Sequence, residues 1–152
     1  MDNQFKFSEH VNLKCKKANS NMYFVRSMIN LNVNTELVTS FFNTVVMSTL
    51  MYACVAFYGL LTNSLARELE RPVRICRKMR RDCVLDNLYD VYKKSMLVFT
   101  KKIRDDDAHP LHLNYNLLPS GRRLRVPHSR TQRFKNTYVP MSISLVNEYL
   151  NV

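Results

Sequence analysis

Glycine is scarce in this sequence, which has Gly59 and Gly121 and no other glycine among its 152 residues. A glycine-rich phosphate-binding loop needs several glycines close together, because backbone N–H groups must approach the phosphates closely. The sequence also lacks a long run of serine and glycine, which would mark a flexible linker. These absences exclude the commonest nucleotide-binding loop and favour a chain with one main folded core.

Paired cysteines are also absent, since none of the four cysteines belongs to a CxxC motif. His109 and His112 flank Pro110-Leu111, but no cysteine pair lies at zinc-finger spacing near them. Residues 1–7 do not show the basic-then-apolar pattern of a signal peptide. We therefore expect an intracellular protein, nuclear or cytoplasmic, with no cofactor and with reduced, mostly buried thiols at Cys15, Cys54, Cys76 and Cys83.

Catalytic motifs are missing as well. The run Asp105-Asp106-Asp107 invites comparison with two-metal nucleotidyl transfer, which needs carboxylates from separate strands converging on one phosphate. Here the run follows a helical pattern directly, and no second acidic cluster exists, so we interpret it as solvated charge at a helix end. The sequence contains no GxSxG nucleophile motif and no iron-oxygenase histidine–aspartate pattern. We expect no metal site and no enzymatic activity.

What the sequence has in excess is positive charge. Its formal net charge is +11 and its isoelectric point is about 9.8. Such a balance favours polyanionic partners, either nucleic acid or an anionic membrane surface.

Apolar residues recur at three- and four-residue steps in several stretches, which predicts a mainly α fold of about four helices. Pro72 should kink the third helical pattern or split it after Glu70, because proline removes a donor and clashes with the preceding turn. We expect solvated side chains at Lys14, Lys16, Lys17 and Arg26, off the first stripe. The first expected helix opens at a Ser8 cap with a stripe of Val11, Cys15, Ala18, Met22, Val25 and Ile29, and the second opens at an Asn34 cap with Glu36 in the first turn. The third opens at a Ser64 cap with a stripe of Leu65, Leu69, Val73 and Cys76. The fourth begins at about Val84 and runs to Ile103 with a stripe of Leu85, Leu88, Val91, Tyr92, Met96 and Phe99.

The segment Leu37 to Leu61 contains no charged residue and is long enough to span a membrane. Ser40, Thr44 and Ser48 recur every four residues within it, with Asn43 beside them. A polar stripe of this kind favours a helix of a soluble protein over a lipid-facing one. A single-span membrane protein remains the less favoured alternative.

Basic residues concentrate in two places, which we predict to bind phosphates. The first is the third helical pattern, residues 67–81. The second follows the turn signal Pro119-Ser120-Gly121, where arginines come without any acidic residue and Pro127 limits regular structure. The predicted nucleic-acid-binding residues are Arg71, Arg74, Arg77, Lys78, Arg80, Arg81, Arg122, Arg123, Arg125, Arg130, Arg133 and Lys135.

A final apolar run, Ile143, Leu145, Val146 and Leu150, should close this basic segment as a hydrophobic clasp. Tyr115, Phe134 and Tyr138 could stack on exposed bases, although packing beneath the loop suits aromatic residues better. We expect a helical region at 1–104 and a basic, largely irregular tail at 105–152 that ends in a short helix.

Three blocks of motifs together extend over nearly the whole chain. They are Phe7-Ser8-Glu9-His10-Val11 with Lys16-Lys17-Ala18-Asn19 and Tyr23-Phe24-Val25-Arg26; Phe41-Phe42 with Leu50-Met51-Tyr52-Ala53 and Phe57-Tyr58-Gly59; and His109-Pro110-Leu111-His112 with Leu117-Leu118-Pro119-Ser120-Gly121-Arg122-Arg123, Arg130-Thr131, Arg133-Phe134-Lys135-Asn136 and Val139-Pro140. These blocks resemble the C-terminal end of the reverse transcriptase of non-LTR (LINE-type) retrotransposons. The first two blocks resemble two helices of the thumb region of that enzyme, and the third is similar to its characteristic tail.

The chain departs from this family in three respects. Phe57 stands where the family usually has tryptophan, and Pro72 interrupts a helix that the family keeps continuous. The aromatic-x-Asp-Asp motif of the polymerase palm is missing, and Asp105 to Asp107 does not match it in position or flanks. Residues 8–52 also resemble a short module named after the N-terminus of AlkB-homologue tRNA-modifying dioxygenases, without any dioxygenase residues.

The resemblance implies a thumb-like helical bundle that lacks the catalytic domain, as a fragment or decayed copy. We therefore expect a non-catalytic remnant that binds RNA or DNA nonspecifically through phosphate contacts. The alternatives are an inert product that attracts polyanions only through its charge, and the single-span membrane protein described above.

Overall fold

The computed structural model of the protein describes residues 7–149. The mainly α fold predicted from the sequence is confirmed. Within the described residues, the only β-type pairing is an isolated antiparallel bridge between Leu117 and Leu124. The α-helices are α1 (Ser8–Asn30), α2 (Thr35–Phe41), α3 (Ser48–Met51), α4 (Cys54–Phe57), α5 (Asn63–Leu69), α6 (Arg71–Met79), α7 (Leu88–Asp105), α8 (Gln132–Lys135) and α9 (Tyr138–Tyr149).

The chain forms two compact units, and the polypeptide passes between them more than once. The first unit holds residues up to Cys54 together with Leu61–Val91, and the second holds Val55–Leu60 together with the residues from Tyr92 onward. The transition within α7 therefore lies at Val91. The sequence-based division at residue 104 stays a prediction about domain organisation.

The core of the first unit is built on α1. Four residues of its predicted apolar stripe are fully buried, namely Val11, Ala18, Met22 and Val25. Cys15 and Ile29 of the same stripe are only half-buried. Helices α2, α3, α5 and α6 all pack against α1. The buried side chains of this unit include Val11, Ala18, Met22, Val25, Val38, Phe42, Val46, Leu50, Leu69, Val73 and Cys76.

The long uncharged segment is not one regular α-helix. After α2 it passes into a π-helical stretch, Phe42–Met47, before α3. It then breaks where Tyr52 becomes extended and Ala53 takes a positive φ of 55°. The predicted polar stripe is exposed, and Thr44 donates to the carbonyl of Ser40 at 2.8 Å, a bond from one helical turn to the next.

The stretch Thr35–Leu60 is long and apolar enough to cross a membrane by length and composition alone. Its most apolar window is 39% buried within the protein. Core helices of soluble proteins pass the same test, so the membrane alternative stays a prediction.

Several helix ends differ from the sequence-based expectation. Asn34 caps α2 as predicted, by accepting a bond from the Glu36 amide at 3.0 Å. Ser8 is the first residue of α1 and not its cap, because the residue before it, Phe7, takes the left-handed conformation and no side chain caps the helix. The cap of α5 is Thr62 and not Ser64, since the Thr62 hydroxyl accepts from the Leu65 amide.

The fourth predicted helix begins at Leu88, four residues later than Val84. Leu85 is buried there without being helical, and Arg77 donates a hydrogen bond to its carbonyl oxygen. Phe99 is 40% exposed instead of buried, although its ring lies 5.6 Å from that of Tyr138. Pro72 divides the third pattern into α5 and α6, and Asp105 ends α7, both as predicted.

Lys14 contradicts the expectation of a solvated side chain. It is 8% exposed, and its ammonium donates to the carbonyl oxygens of Thr49 at 3.1 Å and Tyr52 at 2.7 Å. These carbonyls lie at the end of α3, where helical partners run out. Burial lowers the pKa of Lys14, the nearby Cys54 opposes this shift, and Lys17 adds to it. An extended lysine on α1 thus takes the place of the missing backbone donors.

The second unit has a core of its own, in which the predicted hydrophobic clasp is present. Ile143 and Val146 of α9 pack with Ile103, Tyr115 and Leu124. Leu145 is also buried, whereas Leu150 lies outside the described residues.

Gly59 belongs to this unit and is required by close packing. A methyl group at its Cα would lie 2.5 Å from the carbonyl oxygen of Asn136 and 2.8 Å from the hydroxyl of Tyr92. An alanine would force the Asn136 backbone to move, and backbone is harder to displace than the end of a side chain.

We predict that Lys14→Met destabilises the protein by about 1–3 kcal/mol, because the two carbonyls at the end of α3 lose their charged donor. The control is Lys16→Met, since Lys16 is exposed on the same helix. Urea denaturation followed by circular dichroism measures both variants. Equal midpoints for Lys14→Met and the control would contradict the role assigned to Lys14.

Candidate nucleic-acid interface

Helix α6 and the residue pair after it carry the first group of predicted phosphate ligands. Pro72 lies in the first turn, where its missing N–H costs no helical hydrogen bond. Val73 and Cys76 are fully buried and fix one face of the helix against the first unit. Arg71, Arg74 and Lys78 are therefore exposed on a shared opposite face, at spacings of three and four residues.

Not all basic residues of this helix are available to a ligand to the same degree. Arg77 donates to the carbonyl oxygen of Leu85 at 2.7 Å and to the side-chain oxygen of Asn87 at 2.9 Å. Arg80 donates to the carbonyl oxygen of Val33 at 3.0 Å. Both side chains are half-buried and hold neighbouring loops in place, so their contribution to phosphate binding stays a prediction.

The remaining cations of this group are more open. Arg74 is exposed and uses one nitrogen to bind the carbonyl oxygen of Arg67 at 3.1 Å. The side chains of Arg71, Lys78 and Arg81 are exposed and make no hydrogen bond or ion pair with another residue of the described range. We name Arg71, Arg74, Lys78 and Arg81 the α6 surface.

A hairpin-like loop in the second unit carries the next group. Its turn is closed by a 2.8 Å bond from the Gly121 amide to the carbonyl of Leu118, and Gly121 has a φ of 68°, as the turn signal predicts. On either side of the turn, the Leu118 amide donates to the carbonyl oxygen of Arg123 at 2.7 Å. The Arg125 amide donates to the carbonyl oxygen of Asn116 at 2.8 Å. The returning segment is short and extended, as Pro127 requires.

Leu124 fixes the direction of the arginines in this loop. Its side chain is 1% exposed within the core, while Arg122, Arg123 and Arg125 around it are all exposed. Residues of an extended chain alternate between its faces, so anchoring Leu124 turns Arg123 and Arg125 outward, whereas Arg122 is exposed in the bend that follows the turn. We name Arg122, Arg123 and Arg125 the hairpin arginines.

Asn147 of α9 completes the anchor. Its amide oxygen accepts from the Leu124 N–H at 2.9 Å, and its amide nitrogen donates to the Leu124 carbonyl at 3.0 Å. The side chain thus replaces a neighbouring β-strand for one residue of the loop. Asn147 could not be identified from the sequence, because an asparagine within an apolar helical run gives no sign of a partner 23 residues away.

The last group surrounds the short helix α8. Thr131 caps this helix by accepting from the Phe134 amide at 3.2 Å. Its basic residues, Arg130, Arg133 and Lys135, are exposed. Phe134 is 44% exposed, which makes it the most exposed of the three aromatic residues predicted to stack on a base.

The other two aromatic candidates serve the protein core. Tyr115 is buried and its hydroxyl lies 2.8 Å from that of Ser142. The Tyr138 hydroxyl lies 2.8 Å from that of Thr100, and burial raises the pKa of Tyr138 well above its usual value. Packing beneath the loop, which the sequence analysis favoured, describes both residues.

The histidines that flank Pro110 act within the protein. The Leu111 amide donates to Nδ1 of His109 at 3.1 Å, and Nδ1 of His112 lies 3.1 Å from the Ile103 carbonyl oxygen at the end of α7. The other ring nitrogen of His112 lies 3.4 Å from the Asp107 carboxylate. Across residues 7–149, no group of three or more histidine, cysteine or acidic side chains is arranged to hold a metal ion.

Two of the cysteines, Cys15 and Cys76, have thiols with raised pKa values. Burial, together with the adjacent Cys83, raises the pKa of Cys76 to about 12. Burial also raises the pKa of Cys15, and Glu68 adds to this shift. A thiol with a raised pKa is protonated near neutral pH, and the thiolate is the nucleophilic form.

Comparison with known proteins adds no family to this description. No protein-family model, curated protein or solved structure matches the chain.

We predict that Asn147→Ala loosens the loop that carries the hairpin arginines and destabilises the protein by about 1–3 kcal/mol, because both polar groups of Leu124 lose their partner. Glu148→Ala is the control, since Glu148 is the exposed neighbour on the same helix. Amide hydrogen exchange at Leu124 provides the measurement. Unchanged protection of this amide in Asn147→Ala would contradict the assigned role of Asn147.

Proposed function

We propose that the chain is a non-catalytic nucleic-acid-binding protein that contacts the sugar–phosphate backbone through the α6 surface and the hairpin arginines. The single observation that carries this proposal is the exposure of the Arg71 and Lys78 side chains on a helix whose other face is buried, and of the Arg81 side chain just after it, without a partner among the described residues. Cations held in place by a folded core, and still open to solvent, are suited to an external anion.

The chemistry of these residues supports phosphate as that anion. A guanidinium group presents planar donors that match two phosphate oxygens at once, and arginine is the commonest residue in both groups. The hairpin arginines arise from an anchored backbone, so less conformational freedom is lost on binding than from a disordered tail.

The proposal assigns nonspecific binding of RNA or DNA. Contacts to phosphates position a nucleic acid but carry no sequence information. The two groups belong to different compact units, and each is expected to contact phosphates independently of the other. Phe134 adds a stacking contact where a base is unpaired.

The resemblance to the thumb and tail of non-LTR retrotransposon reverse transcriptases supports the same proposal. In this interpretation the chain derives from such an enzyme, lies outside its catalytic palm and performs no polymerisation. The block His109 to Arg123 that carries much of the resemblance leads directly into the hairpin arginines. An intracellular location, where nucleic acids are available, follows from the proposal.

We predict that replacing Arg122, Arg123 and Arg125 together with glutamine weakens binding and lowers the salt dependence. For a DNA duplex, the slope of the logarithm of the binding constant against the logarithm of salt concentration should fall by about 2 to 3, since each lost phosphate contact removes about 0.9. Fluorescence anisotropy with a labelled duplex, repeated over a range of salt concentrations, measures this slope.

The matched control replaces Lys16, Arg26 and Lys102 with glutamine, which removes the same charge from exposed positions outside both groups. A smaller change of slope in the control is expected. An unchanged slope in the hairpin variant would refute the assignment. An equal loss in both variants would instead indicate an inert chain that attracts polyanions only through its net charge.

A further inference from the structure

A groove in the first unit lies outside the α6 surface. It has a volume of about 460 Å³, within the usual range of small-molecule sites. One wall is formed by residues of α1, and the other wall is the end of α3. The lining residues are His10, Leu13, Lys14, Lys17, Ser48, Thr49 and Tyr52.

The charge of this groove has one sign. Two lysines and a histidine line it, and none of the lining residues is acidic. Burial lowers the pKa of His10, and the charge of Lys14 lowers it further. Lys17 in turn contributes to the lowered pKa of Lys14. The two lysine ammonium groups repel each other, so a bound anion would relieve an electrostatic cost already present in the fold.

The lining groups differ in what they offer an anion. Lys14 uses its donors on the carbonyl oxygens of Thr49 and Tyr52, so it contributes its charge from the floor of the groove. The side chain of Lys17 is exposed and makes no hydrogen bond or ion pair with another described residue. Its ammonium is therefore a donor open to phosphate oxygens, and the imidazole of His10 lines the same groove.

The rest of the groove is apolar and aromatic. Leu13 is 66% exposed and Tyr52 is 75% exposed, although both line a concave surface. The Lys14 ammonium lies 5.3 Å from the centre of the Tyr52 ring, which steadies the ring beside the cations. An exposed, oriented tyrosine next to a cationic cluster suits a ligand that joins a flat ring to an anion.

We propose that this groove binds a single nucleotide unit, with its base stacked on Tyr52 and its phosphate bound by Lys17 and His10. The ligand is a free nucleoside monophosphate or one unpaired nucleotide of a strand. The groove shares no residue with the α6 surface or the hairpin arginines, so this proposal does not depend on the duplex-binding function.

The test titrates the full-length, isotope-labelled protein with a nucleoside monophosphate and follows its amide resonances by NMR. Saturable shifts are expected at His10, Lys17, Thr49 and Tyr52. Ribose 5-phosphate and the bare nucleoside serve as probes that lack the base and the phosphate respectively. Each should bind at least about tenfold more weakly than the nucleotide, because each forfeits a stacking or a charged contact.

Variants assign the contacts. Lys17→Gln should weaken nucleotide binding roughly fivefold, since it removes one charged donor, whereas Lys16→Gln should leave it unchanged. Tyr52→Leu keeps an apolar side chain but removes the ring, and should bring the affinity for the nucleotide down to that for ribose 5-phosphate. Wild-type thermal stability in each variant separates loss of the site from loss of the fold.

Two results would overturn the proposal. One is the absence of saturable shifts in the groove, and the other is equal affinity for the nucleotide and ribose 5-phosphate, which would reduce the groove to a general anion site. Displacement of the nucleotide by a short single-stranded oligonucleotide would support a strand as the natural ligand. Its failure to displace, with the groove shifts retained, would support the free nucleotide.

Discussion

The anchoring of one extended residue, Leu124, is the constraint on which the basic loop depends. Its side chain is buried with Ile143 and Val146, and its two backbone polar groups are both bonded to Asn147. Burying a backbone segment without such partners would be costly, because an unpaired amide or carbonyl loses its bonds to water. Arginine-rich segments repel themselves and tend to remain unstructured, so this anchor turns a charged loop into a defined surface.

In the first unit, a charged side chain binds backbone carbonyl oxygens that have no helical partner. The run Leu37 to Leu61 has no cation to interact with the end of α3, and the chain breaks there at Tyr52 and Ala53. Lys14 of α1 supplies the missing donors from another element. A buried lysine is tolerated because it is bonded to carbonyl dipoles and lies against an aromatic ring. The same lysine gives the adjacent groove its positive charge.

Local patterns in the sequence predicted much of the fold, because helix periodicity, the Pro72 break, the Asn34 cap and the Gly121 turn depend on near neighbours. What could not be predicted depends on distant partners. Lys14 lies on the spacing of the buried stripe of α1, but its charge made a solvated position the expectation, and its carbonyl partners are 35 and 38 residues away. Likewise, Arg77 and Arg80 look like members of one basic face until the carbonyls they bind are located. Asn147 gave no signal because its partner is an extended residue in another element.

The most direct test of the central claim, that the chain binds nucleic acid through phosphate charge, compares one duplex with two kinds of backbone. The first is ordinary DNA, and the second has the same base sequence with uncharged methylphosphonate linkages. We predict that affinity is nearly lost on the neutral backbone, while unrelated base sequences on the ordinary backbone bind within about threefold of each other, since phosphates carry no sequence information. Retained affinity for the neutral duplex, or a strong preference for one base sequence, would contradict this account.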